Sequence, residues 1–480
     1  MNLRNQAISG VKWTTSASLV SNIIGIVQLM ILARILSPAD FGLMALVMVA
    51  IGFSELFIDM GISNAIIYKQ DIDSQQLSTL FWLNILVGIF FFILLVLISK
   101  AIAAFYKSPE LSPLLNLVAS TFLIKPWGQQ FMVLLQKNMQ FAAISKTEII
   151  SRIFSFIIVL ALAYNKYGVY SLAYGTIAYA LFCTIGYIFN GRKVQKPLLY
   201  FKLKGVSDFI HFGLFQMGEK ALNYFSAQFD SILIGKLLGV ETLGVYNVAK
   251  NLAMKPFALF NPIITKVTYP MMSKVNNDIS LLKTFYLKTV KYLAYVNIPI
   301  YSLFILLASP IITVLFGVKW AAAIPLLQIL SLSFITASIV NPQGTLLLAQ
   351  GKAKTTFLWN LFVFLVYPVS IYLGSFWGIL GITSSMLILK ILLLFISLEF
   401  IVNRNCKATI SDTISALYKP FLISTLSSIF PLLLLFLLYV SPLIILGVNT
   451  LLFSLIFLSL VYFLDYTSFK QIAAMLPRKS

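Results

Sequence analysis

Two apolar stretches of the sequence carry polar and charged side chains at the spacing of a single helical face. In the first stretch they occur at i, i+3, i+4, i+7 and i+14, and they are Gln216, Glu219, Lys220, Asn223 and Asp230. The second stretch has a similar stripe with a lysine at its edge, and its members are Asn247, Lys250, Asn251, Asn261 and Lys255. Ammonium groups bind phosphate as point charges, so the lysines of these stripes suit an anionic ligand group.

A pair of carboxylates in another apolar stretch is a second candidate for chemistry. Glu55 and Asp59 are four residues apart and therefore share a helical face. Like charges at this distance repel, so one carboxyl group is protonated or both hold a cation. A site for a proton or a sodium ion is one interpretation of the pair. Ion pairs with lysines on other helices are the second interpretation, and the sequence leaves both open.

The composition shows which solvent surrounds these residues. Hydrophobic residues make up 60% of the 480 residues and charged residues 10%, which leaves too little polar surface for a water-soluble globule. A spanning helix needs about 20 mostly apolar residues. Charged residues, prolines and glycines divide the chain into about fourteen such spans, near 9–35, 41–62, 79–105, 111–135, 143–164, 169–190, 206–236, 241–273, 284–316, 320–349, 353–374, 378–402, 416–440 and 442–464. The sequence therefore predicts an all-α membrane protein.

The two polar stripes belong to the seventh and eighth of these spans. A charge in the middle of a membrane costs about 2.5–3.5 kcal/mol on insertion scales, so it usually faces the bundle interior or a water-filled cavity. Pairing between the polar residues, as structural links between helices, is the alternative. Several polar residues on each of two consecutive spans favour a cavity that both helices line.

A weak internal repeat indicates how the spans are organised. Ile31–Gly42 reads ILARILSPADFG and Leu233–Gly244 reads LIGKLLGVETLG, so a basic residue, a short polar turn and a glycine return in order. The basic connection 190–205 divides the chain after six spans, and halves with an even number of spans have the same orientation. We therefore predict two parallel six-helix lobes around a central cavity, residues 1–200 and 201–405, followed by two additional helices and a cytoplasmic tail, residues 406–480.

The distribution of basic residues predicts the orientation in the membrane. The net charge is +20, and lysines and arginines gather in alternate connections, as at Arg192, Lys193 and Lys196. This positive-inside bias places both termini in the cytoplasm. Nucleic-acid binding would need a soluble basic face, for which the chain has no room. Two cysteines and one histidine without neighbouring ligands predict no metal site.

Short motifs distributed along the chain resemble a known family. They are SGVKW at Ser9–Trp13, LARILSPADFGL at Leu32–Leu43, DMGISNAII at Asp59–Ile67, TLFWLN at Thr79–Asn84, GQQF at Gly128–Phe131, NPIIT at Asn261–Thr265, GVKW at Gly317–Trp320 and NPQGTLLLA at Asn341–Ala349. Together they resemble polysaccharide flippases of the multidrug/oligosaccharidyl-lipid/polysaccharide (MOP) exporter superfamily, in its prokaryotic polysaccharide transporter branch. Within that branch they are especially similar to colanic acid exporters and other Wzx-type flippases.

This resemblance implies a transporter and not an enzyme. Such a protein flips an oligosaccharide repeat unit linked to undecaprenyl diphosphate across the bacterial inner membrane by alternating access, for exopolysaccharide, capsule or O-antigen biosynthesis. Its cavity cations are expected to meet the diphosphate or acidic sugars. No cofactor is expected, although coupling to Na⁺ or H⁺ stays open. The expected partners are the lipid-linked oligosaccharide, membrane lipid and a polysaccharide polymerase or export machinery, with the protein itself a monomer.

Two other functions compete with this interpretation. A drug or cation antiporter of the same superfamily is the first, but it would need an acid-dominated cavity in both halves, whereas the second half is rich in lysine. An integral-membrane polysaccharide polymerase or transferase is the second. The sequence has no large extramembrane loops, no catalytic His or Arg cluster and no GxxxxGK[ST] motif to support it.

Overall fold

The computed structural model of the chain describes the backbone of residues 3–59, 66–67, 72–437, 441–467 and 470. It also describes their side chains, apart from those of residues 3–8, 57–59, 205, 207–219, 222 and 436–437. Every regular element in these ranges is helical, which confirms the predicted all-α class. The chain forms two compact units, Met1–Gly244 and Val245–Ser480.

Six long helices and three shorter ones make up the described part of the first unit. They are α1 (Leu3–Ile35), α2 (Pro38–Asp59), α3 (Ser74–Tyr106), α4 (Leu111–Ala119), α5 (Thr121–Ile124), α6 (Pro126–Lys137), α7 (Phe141–Tyr164), α8 (Val169–Gly191) and α9 (Ser207–Leu238). The fourth predicted span is broken into α4, α5 and α6. One break falls at Pro126, where the ring removes a backbone donor from the helical ladder. The seventh span, α9, is the first helix of the predicted second lobe, yet it lies in the first compact unit.

The second unit is built in the same way. Its helices are α10 (Val240–Lys274), which begins in the first unit, α11 (Ile279–Leu306), α12 (Ala308–Leu315), α13 (Ala323–Ala349), α14 (Ala353–Ser375), α15 (Gly378–Ser397), α16 (Ile410–Leu437) and α17 (Pro442–Leu464). The helix α15 continues through a π-helical turn, Leu398–Asn403. The predicted ninth span is divided into α11 and α12 around Leu307.

Prolines interrupt the ladder of α10, and a tyrosine from α11 repairs one interruption. Pro256 lies inside the helix. The hydroxyl of Tyr301 donates to the Ala253 carbonyl at 2.9 Å and accepts from the Phe257 N–H at 3.1 Å. It therefore lies between two backbone groups that would bond each other in a regular α-helix. Because Tyr301 is fully buried, these two hydrogen bonds satisfy a hydroxyl that burial would otherwise leave unpaired.

The last two helices are fixed to α11 around a buried carboxylate. Asp465 directly follows α17 and is 4% exposed. Its Oδ2 accepts a hydrogen bond from the Tyr295 hydroxyl at 2.7 Å and forms an ion pair with Lys291 Nζ at 2.7 Å. Tyr295 also packs with Ile423 of α16 and Val461 of α17. These contacts give the C-terminal pair a defined place in the second unit.

Length and composition identify the helices that can cross a membrane. In the described part of the chain, 11 helices are long and apolar enough. The other three predicted spans are also helical, but the fourth is broken into shorter helices, and α9 and α10 are too polar to meet the same criterion. Many large apolar side chains on these helices face outward, as on α14, where only 11% of the most apolar window is buried. Outward apolar faces suit lipid as the solvent.

The two copies of the internal repeat meet at their glycines. Gly42 is near the start of α2 and Gly244 near the start of α10. A Cβ atom on Gly42 would collide with the Val240 carbonyl, and one on Gly244 would collide with the Pro38 carbonyl. Each glycine thus faces the carbonyl four residues before the other glycine. This reciprocal contact has local two-fold symmetry and brings two backbones closer than any other residue would allow.

Candidate functional site

The carboxylate of Glu55 is held by a lysine from another helix. Glu55 belongs to α2, and Lys125 is the residue between α5 and α6. Lys125 Nζ donates to Glu55 Oε1 in an ion pair within the first unit. The side chains of Lys125 and Glu55 are 35% and 38% exposed, so neither charge is sealed from its surroundings. The structure therefore shows the ion-pair arrangement for Glu55, while its role in ion coupling stays a prediction.

This ion pair lies at the wall of a cavity of about 260 Å³ in the first unit. The helices α2, α6 and α8 supply its lining. Its polar lining residues are Glu55, Lys125, Gln129, Tyr179, Cys183, Thr184 and Tyr187. The α8 residues Tyr179, Cys183 and Tyr187 follow at intervals of four, which places them on one helical face. The polar lining thus combines one acid, one base, one amide, one aliphatic hydroxyl, one thiol and two phenol rings.

Two charged residues of α7 contact these tyrosines. Glu148 Oε1 accepts a hydrogen bond from the Tyr187 hydroxyl at 3.3 Å. The Arg152 guanidinium carbon lies 5.8 Å from the centre of the Tyr179 ring, a cation–π distance. Sequence analysis missed both residues. Their spacing of four inside an apolar span is the signal that could have found them.

The structure describes some of the side chains in the predicted stripe on α9. Lys220 is half-buried, Asn223 is exposed and Asp230 is 4% exposed, with its Oδ1 accepting from the Ser231 N–H at 2.6 Å. The side chains of Gln216 and Glu219, and that of the predicted coupling residue Asp59, lie outside those that the structure describes. The exposure of Asn223 and Lys220 is compatible with a polar surface on this helix.

Contacts between α9 and α2 bring this stripe near the helix that carries Glu55. The Tyr224 hydroxyl donates to the Val49 carbonyl at 2.8 Å. The rings of Phe53 and Phe225 have centroids 4.8 Å apart. Tyr224 and Phe225 directly follow Asn223, and Phe53 lies two residues before Glu55. The stripe of span seven and the acid of span two therefore belong to neighbouring helices of one compact unit.

The polar residues of the stripe on α10 differ in how deeply they are buried in the second unit. Asn251 is exposed, whereas Asn247, Lys250 and Lys255 are half-buried. Lys250 Nζ lies 5.9 Å from the centre of the Tyr246 ring. Asn261 is 2% exposed and its Oδ1 accepts from Asn297 Nδ2 at 3.0 Å. The structure thus places Asn261 in the interior of the second unit, paired with another amide, unlike the more exposed Asn251.

No three His, Cys, Asp or Glu side chains converge as metal ligands in the described part of the chain. The two cysteines, Cys183 and Cys406, are both buried and free. The polar residues that line the cavity can form hydrogen bonds and ion pairs. Such groups can hold and release a polar molecule.

Comparisons with known proteins identify relatives of the chain. The chain is 34% identical over 425 residues, 88% of each protein, to the teichuronic acid biosynthesis protein TuaB of Bacillus subtilis (strain 168). It is 30% identical over 425 residues to the lipopolysaccharide biosynthesis protein WzxC of Escherichia coli (strain K12), covering 88% of this chain and 86% of the relative.

A solved structure shares the fold. The lipid II flippase MurJ, in an inward closed conformation, superposes with a TM-score of 0.76 at 17% sequence identity, covering 95% of this chain and 99% of that chain. This likeness confirms the predicted fold. A family model described as polysaccharide biosynthesis protein matches residues 31–325. Together with the relatives above, this match shows that the chain belongs to the polysaccharide biosynthesis protein family.

Proposed function

We propose that this protein is a transporter that flips an oligosaccharide repeat unit, linked to undecaprenyl diphosphate, across the bacterial inner membrane by alternating access. The repeat unit would serve exopolysaccharide, capsule or O-antigen biosynthesis. Membership of the polysaccharide biosynthesis protein family supports this function. The MurJ-like fold supports a lipid-linked cargo, because the solved neighbour is described as a lipid II flippase.

One observation in the structure carries the proposal. The first unit, built from apolar spans, contains a cavity lined by the Glu55–Lys125 ion pair and by amide, hydroxyl and aromatic side chains. Charges inside membrane spans are costly and therefore mark substrate or ion pathways. A cavity of this composition suits a polar, neutral cargo such as the sugars of a repeat unit.

The lysines of the two stripes are the residues that we propose bind the diphosphate. Lys220 of α9 and Lys250 and Lys255 of α10 would bind the diphosphate, because ammonium groups act as point donors to phosphate oxygens. Gln216, Glu219, Asn223, Asn247, Asn251 and Asn261 would contribute polar contacts. Coupling to Na⁺ or H⁺ through Glu55 and Asp59 is part of the same proposal. We also propose that both termini lie in the cytoplasm. The protein would act as a monomer together with a polysaccharide polymerase or export machinery.

The antiporter alternative fits the first unit less well. A drug or cation antiporter needs an acidic group that is available to a cation. Here Lys125 already compensates Glu55, so the cavity presents an acid and a base together. A polymerase or transferase is less favoured than the antiporter, because the family and fold comparisons support transport.

Reconstituted transport tests the proposal directly. Vesicles that contain the protein and a fluorescent undecaprenyl-diphosphate oligosaccharide are treated with a membrane-impermeant quencher, which reports the rate at which cargo crosses. We expect faster crossing than in protein-free vesicles. Replacing Lys220 by alanine should slow crossing about tenfold or more, since a hydrogen bond to a charged group contributes about 1.5–3 kcal/mol. Lys220→Arg keeps the charge and should retain part of the activity.

Lys236 provides a matched control on the same helix. It is exposed, and its Nζ donates to the Phe105 carbonyl at 2.6 Å, near the end of α9. Lys236→Ala should therefore leave the rate near that of the original protein. Crossing no faster than in protein-free vesicles would refute the proposed function. Equal losses for Lys220→Ala and Lys236→Ala would remove Lys220 from the cargo site.

A further inference from the structure

The cavity of the first unit has the size and lining of a site for one sugar ring. Its volume of about 260 Å³ is just below the roughly 300–1,000 Å³ of pockets that bury a drug-sized ligand. That space accommodates a single six-membered ring with its hydroxyl groups and is too small for a whole oligosaccharide. Resting on the proposed function, we propose that this cavity is a subsite for one uncharged pyranose ring of the cargo.

The polar lining matches the groups around a pyranose ring. A carboxylate has about four acceptor sites, so Glu55 can accept from a pair of adjacent hydroxyls in addition to Lys125. The Lys125 ammonium donates up to three hydrogen bonds, and the Gln129 amide both donates and accepts. Hydrogen bonds to ionised groups are the stronger ones, which makes Glu55 and Lys125 the main anchors. Both keep about a third of their side-chain surface exposed, so a hydroxyl can reach them.

Two tyrosines supply the apolar part of such a site. The C–H groups of a sugar ring form an apolar face that packs against an aromatic side chain, and buried aromatic surface provides much of the binding energy in small-molecule pockets. Tyr179 and Tyr187 are two turns apart on α8 and both line the cavity. Arg152 lies over the Tyr179 ring, and Glu148 accepts from the Tyr187 hydroxyl, so α7 positions both rings.

The charge balance of the lining selects an uncharged ring. Glu55 and Lys125 neutralise each other within the cavity wall. An acidic sugar would compete with Glu55 for Lys125 and leave one carboxylate without a compensating cation, which burial penalises. A neutral ring can bond to both members and leave the ion pair intact. The diphosphate, in contrast, would need the separate lysines of the two stripes.

Binding of simple glycosides to the full-length protein in detergent tests this subsite. Saturation-transfer NMR is recorded with methyl glycosides of glucose, galactose and mannose, and with methyl glucuronoside as the acidic counterpart. We expect saturable transfer for at least one neutral glycoside and weaker binding of the glucuronoside. Glu55→Gln combined with Lys125→Met keeps the net charge and should weaken binding about tenfold or more, the effect of losing a charge-assisted hydrogen bond.

A second variant and its control keep the test informative if the double variant folds poorly. Gln129→Leu removes one polar lining group and should also weaken binding severalfold. Gln136→Leu makes the same change two turns further along α6, at an exposed position outside the cavity, and should have no effect. No saturable transfer for any neutral glycoside, tighter binding of the glucuronoside, or equal effects of Gln129→Leu and Gln136→Leu would overturn the subsite.

The outcomes separate this proposal from the proposed function. Free glycosides carry no lipid, so their binding does not depend on transport. Cargo that crosses reconstituted membranes without glycoside binding would refute the subsite and keep the transporter. Glycoside binding without cargo crossing would keep a sugar site and refute the flippase function on which its role as a cargo subsite rests.

Discussion

Glu55 and Lys125 carry opposite charges inside a membrane protein, and each compensates the other. Removing one partner of a buried pair leaves an uncompensated charge, which costs about 3–5 kcal/mol, whereas exposed pairs contribute about 0–1 kcal/mol. At 38% and 35% side-chain exposure, this pair lies between the two limits. The consequence of a substitution should therefore depend on whether the partner's charge remains.

A double-mutant cycle on this pair gives the first residue-scale prediction. Glu55→Gln and Lys125→Met should each lower the free energy of unfolding in detergent by about 1–2 kcal/mol. This is less than the cost of breaking a fully buried pair, because both side chains are partly exposed. The double variant should be more stable than the sum of the single effects predicts, because it leaves no unpaired charge. Thermal unfolding of the four proteins measures the coupling. Strictly additive effects would show that the pair contributes no interaction energy.

The Glu55→Gln protein also tests ion coupling. If Glu55 couples ion movement to transport, the variant should lose the dependence of transport on a proton or sodium gradient while the shape of the site is kept. Lys236→Ala serves again as the control and should keep that dependence. Transport by Glu55→Gln with its gradient dependence intact would exclude Glu55 from ion coupling.

Helical spacing identified Glu55 but not its partner. Periodicity shows which residues share a face of one helix, because those positions are local in sequence. It does not show which faces of different helices meet. Lys125 is separated from Glu55 by 70 residues, and the contact depends on how α2 packs against the break before Pro126. The spacing of Glu148 and Arg152 could have identified them as candidates, but their contacts with the tyrosines of α8 could not be predicted for the same reason.

At the scale of helices, the contact between Gly42 and Gly244 explains the internal repeat. Each copy of the repeat places a glycine one turn inside a helix that begins after a short turn. The two helix starts approach so closely that each glycine faces a carbonyl of the other segment. The repeated motif is thus a requirement of packing between its own two copies, in addition to any trace of a common origin.

Replacing these glycines by alanine should disturb that contact. A Cβ on Gly42 or Gly244 would collide with backbone atoms, which cannot move aside as a flexible side chain can. We expect each variant to lose about 1–3 kcal/mol of stability, the usual cost of overpacking. Transport should fall as well if the contact between the first turns of α2 and α10 is needed for function. Thermal unfolding and the vesicle assay measure the two effects.

Gly344 is the matched control for this prediction. It lies inside α13, and a Cβ there would meet no described heavy atom within 4 Å. Gly344→Ala should be neutral or should stabilise the protein by about 0.5–1 kcal/mol, because alanine favours a helix interior. If Gly42→Ala and Gly344→Ala behaved alike, the close contact at the repeat would contribute nothing.

The sequence predicted the helices better than their breaks. Apolar length and the charged residues, prolines and glycines that divide the chain are local properties, and 11 of the fourteen predicted spans are helices long and apolar enough to cross a membrane in the described part of the chain. The division of span four into α4, α5 and α6 and the insertion of the Tyr301 hydroxyl into α10 depend on contacts between distant residues. Hydropathy contains no information on these contacts. The place of the last two helices, fixed through Asp465, was unpredictable for the same reason.

At the scale of the whole molecule, the distribution of charge and the even number of spans in each half make one prediction about orientation. If the positive-inside bias holds, the basic connection that contains Lys196 and the turn that contains Asn277 both lie in the cytoplasm. The connections that contain Tyr167 and Val318 then lie on the opposite side. All four residues are exposed in the structure and can accept a labelled cysteine.

Cysteine labelling in intact cells tests this topology. Single cysteines replace Lys196, Asn277, Tyr167 or Val318 in a background in which the buried Cys183 and Cys406 are changed to alanine. A membrane-impermeant maleimide should label the Tyr167 and Val318 positions in intact cells, and the Lys196 and Asn277 positions only after the membrane is opened. The parent without cysteines provides the background signal. Labelling of the Tyr167 and Val318 positions from opposite sides would contradict parallel halves, because an even number of spans must return the second half to the orientation of the first.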